Sequence, residues 1–237
     1  IMKRSILIQS RLSSSRFPEK MMNVLGNIPL VEFVYKRCSN SKKADTIAVI
    51  TSTDKSDDKL YEYCISHNIE VFRGSLNNVL ERYIRSAEFY ESDVICRVCG
   101  DSPFVDIYLV DEMFDIITNE SLDYVSPDKR TCIAGLDSEI VTLNALKKTF
   151  INSNVNDELE HVTIYIKNNV QIFKVKFLDV NLKPKHLNQL SLTVDEEKDL
   201  ILGNKILHLM ENGFNFSSYQ LLEIIESNKK FLLQDPQ

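Results

Sequence analysis

The chain has 237 residues, 43% hydrophobic and 26% charged, the balance of an ordinary globular domain. Its formal net charge of −6 argues against a general nucleic-acid binder, and no apolar run approaches the roughly 18 residues of a membrane span. Five scattered cysteines argue against a disulfide framework. The apolar stretch 4–9 is too short, and too soon followed by charge, for a signal peptide, so a cytoplasmic protein is expected.

In chain order, short apolar runs near 4–9, 46–52, 70–73 and 94–98 predict strands buried on both faces. Helical patterns over 29–39, 57–67 and 76–90 separate them. In the last, Val79, Leu80, Tyr83, Ile84 and Ala87 form an apolar stripe, and Asn78, Glu81, Arg82 and Arg85 fall off it. Strand–helix alternation predicts a parallel sheet with helices on both sides. Right-handed crossovers line the post-strand loops along one sheet edge, so loops 10–20 and 100–106 should share a crevice. A helix over 107–118 follows. Strands over 123–126 and 139–142 then flank an arm or hairpin, with helices over 143–151 and 157–168 behind it. Strands over 173–177 and 190–194 and helices over 196–210 and 217–227 complete the chain. No repeat or linker interrupts it, so one domain over 1–237 is expected.

Several positions carry chemistry. Loop 10–20 holds Arg11, Arg16 and Lys20 among four serines, Ser10, Ser13, Ser14 and Ser15. Guanidinium forks, an ammonium and hydroxyl donors suit a polyphosphate, although a solvated basic loop has the same composition. Asp101 follows a buried strand and Gly100, where the backbone can approach a ligand and a carboxylate can hold a hard cation. Asp195 ends a strand before a helix and reads as an N-cap or as a ligand. Cys96 and Cys99 have metal spacing, but on a strand they point to opposite faces and read as core thiols. Asp137 and Glu139 share a strand face. They could hold sugar hydroxyls or, as the lesser alternative, supply a general base. His161 sits on a helical pattern with Ile164 and Tyr165 and reads more readily as structural than as catalytic.

The order of these residues resembles a known family. Ile8-Gln9-Ser10-Arg11, Ser15-Arg16-Phe17-Pro18 and Lys20 resemble the opening motif of sugar-activating cytidylyltransferases. The closest likeness is to the SpsF-like proteins of spore coat polysaccharide biosynthesis, with 3-deoxy-manno-octulosonate and acylneuraminate cytidylyltransferases as distant relatives. The likeness continues at Val71–Ser75, Val79–Tyr83, Arg97–Pro103, Gly135–Glu139, Glu160–Thr163 and Leu192–Asp195, in family order.

The resemblance implies an α/β, Rossmann-like, mostly parallel sheet of the nucleotide-diphospho-sugar transferase type, with an inserted β arm near 124–170 that makes a homodimer. It implies a Mg²⁺-dependent transfer of CMP from CTP to a sugar, sugar acid or sugar or polyol phosphate, feeding surface polysaccharide synthesis. Gln9, Arg11, Ser15, Arg16, Lys20 and Gly100 match nucleotide-binding positions, and Arg73, Glu81 and Arg82 match a segment lining the cytosine pocket. Asp101 and Asp195 match the metal ligands. With Arg16 and Lys20 they make up the catalytic set. Arg97, Asp137, Glu139 and His161 match acceptor-binding blocks. Ser14 and Glu19 depart from the family pattern, which has glycine at both places, and Glu19 sets a negative charge beside the phosphate loop. A glycosyltransferase on a similar fold is the weaker alternative because the chain has no Asp-x-Asp motif. An inactive nucleotide-binding regulator is the other, and the retained Asp101, Asp195, Arg16 and Lys20 count against it.

Overall fold

The computed structural model describes residues 2–13, 16–153, 156–210 and 213–232. The first half runs β1 (Arg4–Gln9), a two-stranded ribbon β2 (Val24–Leu25) and β3 (Ile28–Pro29), α1 (Leu30–Cys38), β4 (Thr46–Ser52), α2 (Asp58–Ser66), β5 (Val71–Gly74), α3 (Val79–Phe89), β6 (Val94–Cys99) and α4 (Ile107–Asn119). The second half adds β7 (Tyr124–Pro127), β8 (Glu139–Thr142), α5 (Leu143–Asn152), α6 (Asn156–Glu160), α7 (Ile164–Asn168), β9 (Val175–Leu178), α8 (Glu197–His208), α9 (Ser218–Ser227) and α10 (Lys229–Leu232).

Seven strands form one sheet in the order β5-β4-β1-β6-β8-β7-β9. Pairing is parallel from β5 to β6, antiparallel across β6–β8 and β8–β7, and parallel again at β9. Residue alternation explains why both faces are covered. Ile6 and Ile8 of β1 pack with α1, α4 and α9 on one side, whereas Leu7 packs with α3 and α5 on the other. Each such side chain taken fully out of water contributes about 1.5–3 kcal/mol. Polar caps stop the helices from running on: Asn78 accepts from the Glu81 N–H, and Asp106 from those of Tyr108 and Leu109. No helix among the described residues is long and apolar enough to cross a membrane.

From β1 the chain winds outward through β4 to β5, then returns across β1 to lay down β6 on its other side. The strand order therefore reverses between β1 and β6, and a crevice opens beyond their carboxyl ends. Gln9 and Cys99 are register partners at that edge. Loops 10–20 and 100–106 leave from it together, as expected.

Three expectations are corrected. The run 190–194 is not a strand. It makes a single bridge at Ser191, because the Leu192 amide donates to Ala134 O and the Val194 amide to Asp101 O, two separate elements. The helix expected over 157–168 breaks between α6 and α7, where Val162 takes a left-handed φ of 51°. Arg82 lies buried in α3 beneath Gly74 and donates to Ser75 O, although the apolar stripe left it outside. Of the segment 124–170, β7 and β8 belong to the main sheet through buried Tyr124, Val125, Ile140 and Val141. The connection between them bridges to Leu182 and Ser191.

Candidate active site

Loop 10–20 is held by backbone bonds and by one buried carboxylate. Asp57, fully buried, accepts from the Leu12 N–H at 2.7 Å and from the backbone and hydroxyl of Ser52, tying the loop to the end of β4. The Glu19 N–H donates to Leu12 O, closing the loop on itself. Reading the sequence passed over Asp57, because an aspartate at a helix start looks like an ordinary first-turn charge. The one available signal was its place in Asp54-Lys55-Ser56-Asp57-Asp58, directly after a buried strand.

The clamped loop brings its cations over the end of β6. Lys20 Nζ donates to Asp101 at 2.7 Å and to Val194 O at 3.0 Å, and lies 3.7 Å from Asp195. Arg16 donates to Asp195 at 2.9 Å. Gly100 makes this approach feasible. A Cβ there would run into Ser10 Oγ and sit 2.9 Å from Met21 Sδ and 3.0 Å from Gln9 O. Asp195 is not the N-cap of α8. Glu196 and Asp199 form that capping box, and Asp199 also accepts the Asp195 N–H, which leaves the Asp195 carboxylate facing the cations. The result is a cleft of about 690 Å³ lined by Gln9, Ser10, Arg11, Ser13, Arg16, Lys20, Met21, Cys99, Gly100, Asp101 and Asp195. Ser10 Oγ is buried in its wall with no hydrogen-bond partner among the described residues. Ser15 lies outside the described residues.

Two carboxylates converging on one ammonium are a donor set that suits Mg²⁺, which takes one or two protein carboxylates and completes its shell with phosphates and water. Asp101 and Asp195 are the residues that would hold such an ion, and no group of three or more His, Cys, Asp or Glu comes together among the described residues. The cysteines are all unpaired.

Arg73, Glu81 and Arg82 stand off this cleft. Arg73 donates to Ser52 O, Asp54 O and Asp58, bracing the turn that carries Asp57. Glu81 lies 3.9 Å from Arg85 on the outer face of α3. Arg82 leaves Nε and Nη2 without partners among the described residues, and burial, with the nearby charge of Arg11, lowers its pKa.

Glu19, with φ 53°, turns its carboxylate to Lys59 at 2.5 Å and does not line the cleft. A left-handed L-residue costs about 1–2 kcal/mol, against at most about 1 for an exposed ion pair. Glu19→Gly is therefore expected to leave stability unchanged or raise it by about 1 kcal/mol, with nucleotide binding unaltered. A denaturant titration showing a loss beyond 1 kcal/mol would refute this.

A second cavity, of about 440 Å³, opens beside the first and shares Cys99 and Asp101 with it. Arg97, Asp137, Glu139 and His161 all line it, together with Lys129 and Lys167, which the sequence reading did not select. Asp137 accepts from the Gly135 N–H, and His161 sits at the break between α6 and α7. Glu139 is saturated. Its oxygens accept from Arg97 at 2.7 Å, Thr163 at 2.8 Å, and Tyr124 and Lys167 at 2.7 Å each. Burial pushes its pKa up, but the charges of Arg97 and Lys167 outweigh this and hold it at about 2. Glu139 is thus an anionic hub, both of its oxygens accepting from the protein's own donors.

A cationic cleft at the switch point of a mostly parallel sheet, with a second polar cavity beside it, lies where sheets of this kind bind nucleotides. The chain belongs to the cytidylyltransferase family, whose profile, described as Cytidylyltransferase, matches residues 5–230. It is 33% identical over 200 residues to the spore coat polysaccharide biosynthesis protein SpsF of Bacillus subtilis, covering 81% of each chain. Its structure matches a cytidylyltransferase from Leptospira borgpetersenii with a TM-score of 0.88 at 29% identity, over 100% of this chain and 99% of that one. The fold is also that of CMP:2-keto-3-deoxy-manno-octonic acid synthetase, solved with CTP: TM-score 0.65, 12% identity, 87% and 98% coverage.

Proposed function

We propose that the protein is a Mg²⁺-dependent cytidylyltransferase that moves CMP from CTP onto a sugar-like acceptor in the cytoplasm, for surface polysaccharide or glycoconjugate synthesis. The observation carrying this reading is the convergence of Lys20 and Arg16 on Asp101 and Asp195 at the β1/β6 switch point. An acceptor oxygen attacks the α-phosphorus, the bond from that phosphorus to the β-bridging oxygen breaks, and pyrophosphate leaves. Arg16 and Lys20 orient the β- and γ-phosphates and take up the charge that develops on the leaving group. Asp101 and Asp195 would hold Mg²⁺, which supplies further neutralisation of phosphate charge. Asp137, His161 and Lys129 line the acceptor's side. The reading includes a homodimer built on 124–170, where exposed Phe150 and Ile151 offer apolar surface.

A thermal-shift series with CTP, UTP, ATP and dTTP, each with and without Mg²⁺, tests the proposal. A ligand at 100 times its Kd adds about 2.7 kcal/mol. A CTP-selective, Mg²⁺-enhanced rise in Tm is expected, and no shift with any nucleotide would refute the reading.

A further inference from the structure

Arg97 lines the second cavity and reaches Gln9 of the first, and its hydrogen bonds give it a different task from the acceptor binding that the motif resemblance implies. On the β1–β6 ladder Arg97 is opposite Leu7, and on the β6–β8 ladder it is opposite Glu139. Side chains alternate along a strand, so Gln9, two residues beyond Leu7, shares Arg97's face. The guanidinium is therefore flanked by Glu139 on one side and Gln9 on the other. It donates through Nη1 to Glu139 at 2.7 Å and through Nη2 to the Gln9 side-chain oxygen at 3.3 Å. Tyr83 lies 5.9 Å from its charged centre, closing the third side.

Arginine has donors only, so the Gln9 amide must turn its oxygen toward Arg97. Its NH₂ group then has no partner among the described residues, and Gln9 lines the phosphate cleft. We infer that Arg97, anchored by Glu139, is a positioning residue that fixes Gln9 as a hydrogen-bond donor to the bound nucleotide. The chemistry recognised is an acceptor atom, such as a pyrimidine carbonyl or ring nitrogen. The partly buried Glu139 hub gives the relay its rigidity, because Arg97 cannot rotate away without leaving that carboxylate short of a charge partner. The inference rests on the cytidylyltransferase reading and adds to it a way of orienting the nucleotide.

The test is CTP titration by calorimetry, with no acceptor present, on wild type, Arg97→Lys, Gln9→Met and the double variant. Lysine keeps the charge beside Glu139 but lacks the second fork, and methionine keeps the shape of Gln9 without its donor. Each single variant is expected to weaken CTP binding about five- to tenfold. The double variant should be no worse than the poorer single one, because both changes remove the same contact. If Arg97 serves only the acceptor, Arg97→Lys binds CTP like wild type, and the inference is overturned. Should Arg97→Lys fail to fold, Gln9→Met still decides, since unchanged affinity there overturns the inference too. A wild type that binds no CTP would instead overturn the nucleotide reading itself, and this inference with it.

Discussion

Asp101→Asn and Asp195→Asn are each expected to reduce CTP-dependent pyrophosphate release by about 10²–10³-fold, the loss typical of removing one charge-stabilising group. Both carboxylates reach the same ammonium, at 2.7 and 3.7 Å from Lys20 Nζ, so either amide removes half the negative charge at one point. Folding should survive. Each side chain keeps its shape, Asp101's backbone carbonyl still receives the Val194 N–H, and the capping box of α8 does not involve the Asp195 carboxylate. A readout that needs no acceptor separates metal loss from general damage. Wild type should show an Mg²⁺-dependent increment in its CTP melting shift, and both variants should lose that increment while keeping a shift with CTP alone. If both variants release pyrophosphate at the wild-type rate, the two-carboxylate site is wrong.

How much of this was legible in the sequence depended on whether a residue's role followed from its neighbours along the chain. The parallel core was legible because β1, β4 and β6 are continuous apolar runs that only a two-faced buried sheet accommodates. The convergence of loops 10–20 and 100–106 followed from crossover handedness. Arg97, Asp137, Glu139 and His161 came from motif order, and the structure brings them together around the second cavity. What they do there was not legible. Glu139's four donors come from β6, β7, α7 and the residue just before α7, and only the sheet order β6-β8-β7 brings them within reach. Arg82 is buried by its contact with the end of β5, against the helical periodicity that put it outside. Arg73 braces the Asp57 turn because β4 and β5 pair with Thr51 opposite Arg73, a long-range register that no local pattern encodes. The break at Val162 was equally hidden, since a β-branched residue at positive φ is a cost imposed by packing.

Glu139→Gln should be the most destabilising single change in the second cavity, at about 3–5 kcal/mol, because it strands Arg97 and Lys167 beside a neutral group with little access to water. At roughly 2–4 °C per kcal/mol for a chain of this size, Tm should fall by about 6–20 °C near pH 7. The pH dependence identifies the cause. Glu139's pKa is depressed in the folded protein, to about 2 from an ordinary 4.5, so its contribution to stability is complete above the unfolded value. That contribution is lost as pH falls from about 4.5 toward 2, where wild type too must protonate the hub. The Tm gap between wild type and Glu139→Gln should therefore be constant from pH 7 down to about 5 and narrow steadily below it. A gap that does not change between pH 5 and 2.5 would mean that the variant suffers from lost packing, with no contribution from the missing charge. A gap that narrows would assign the loss to the missing charge that faces Arg97 and Lys167.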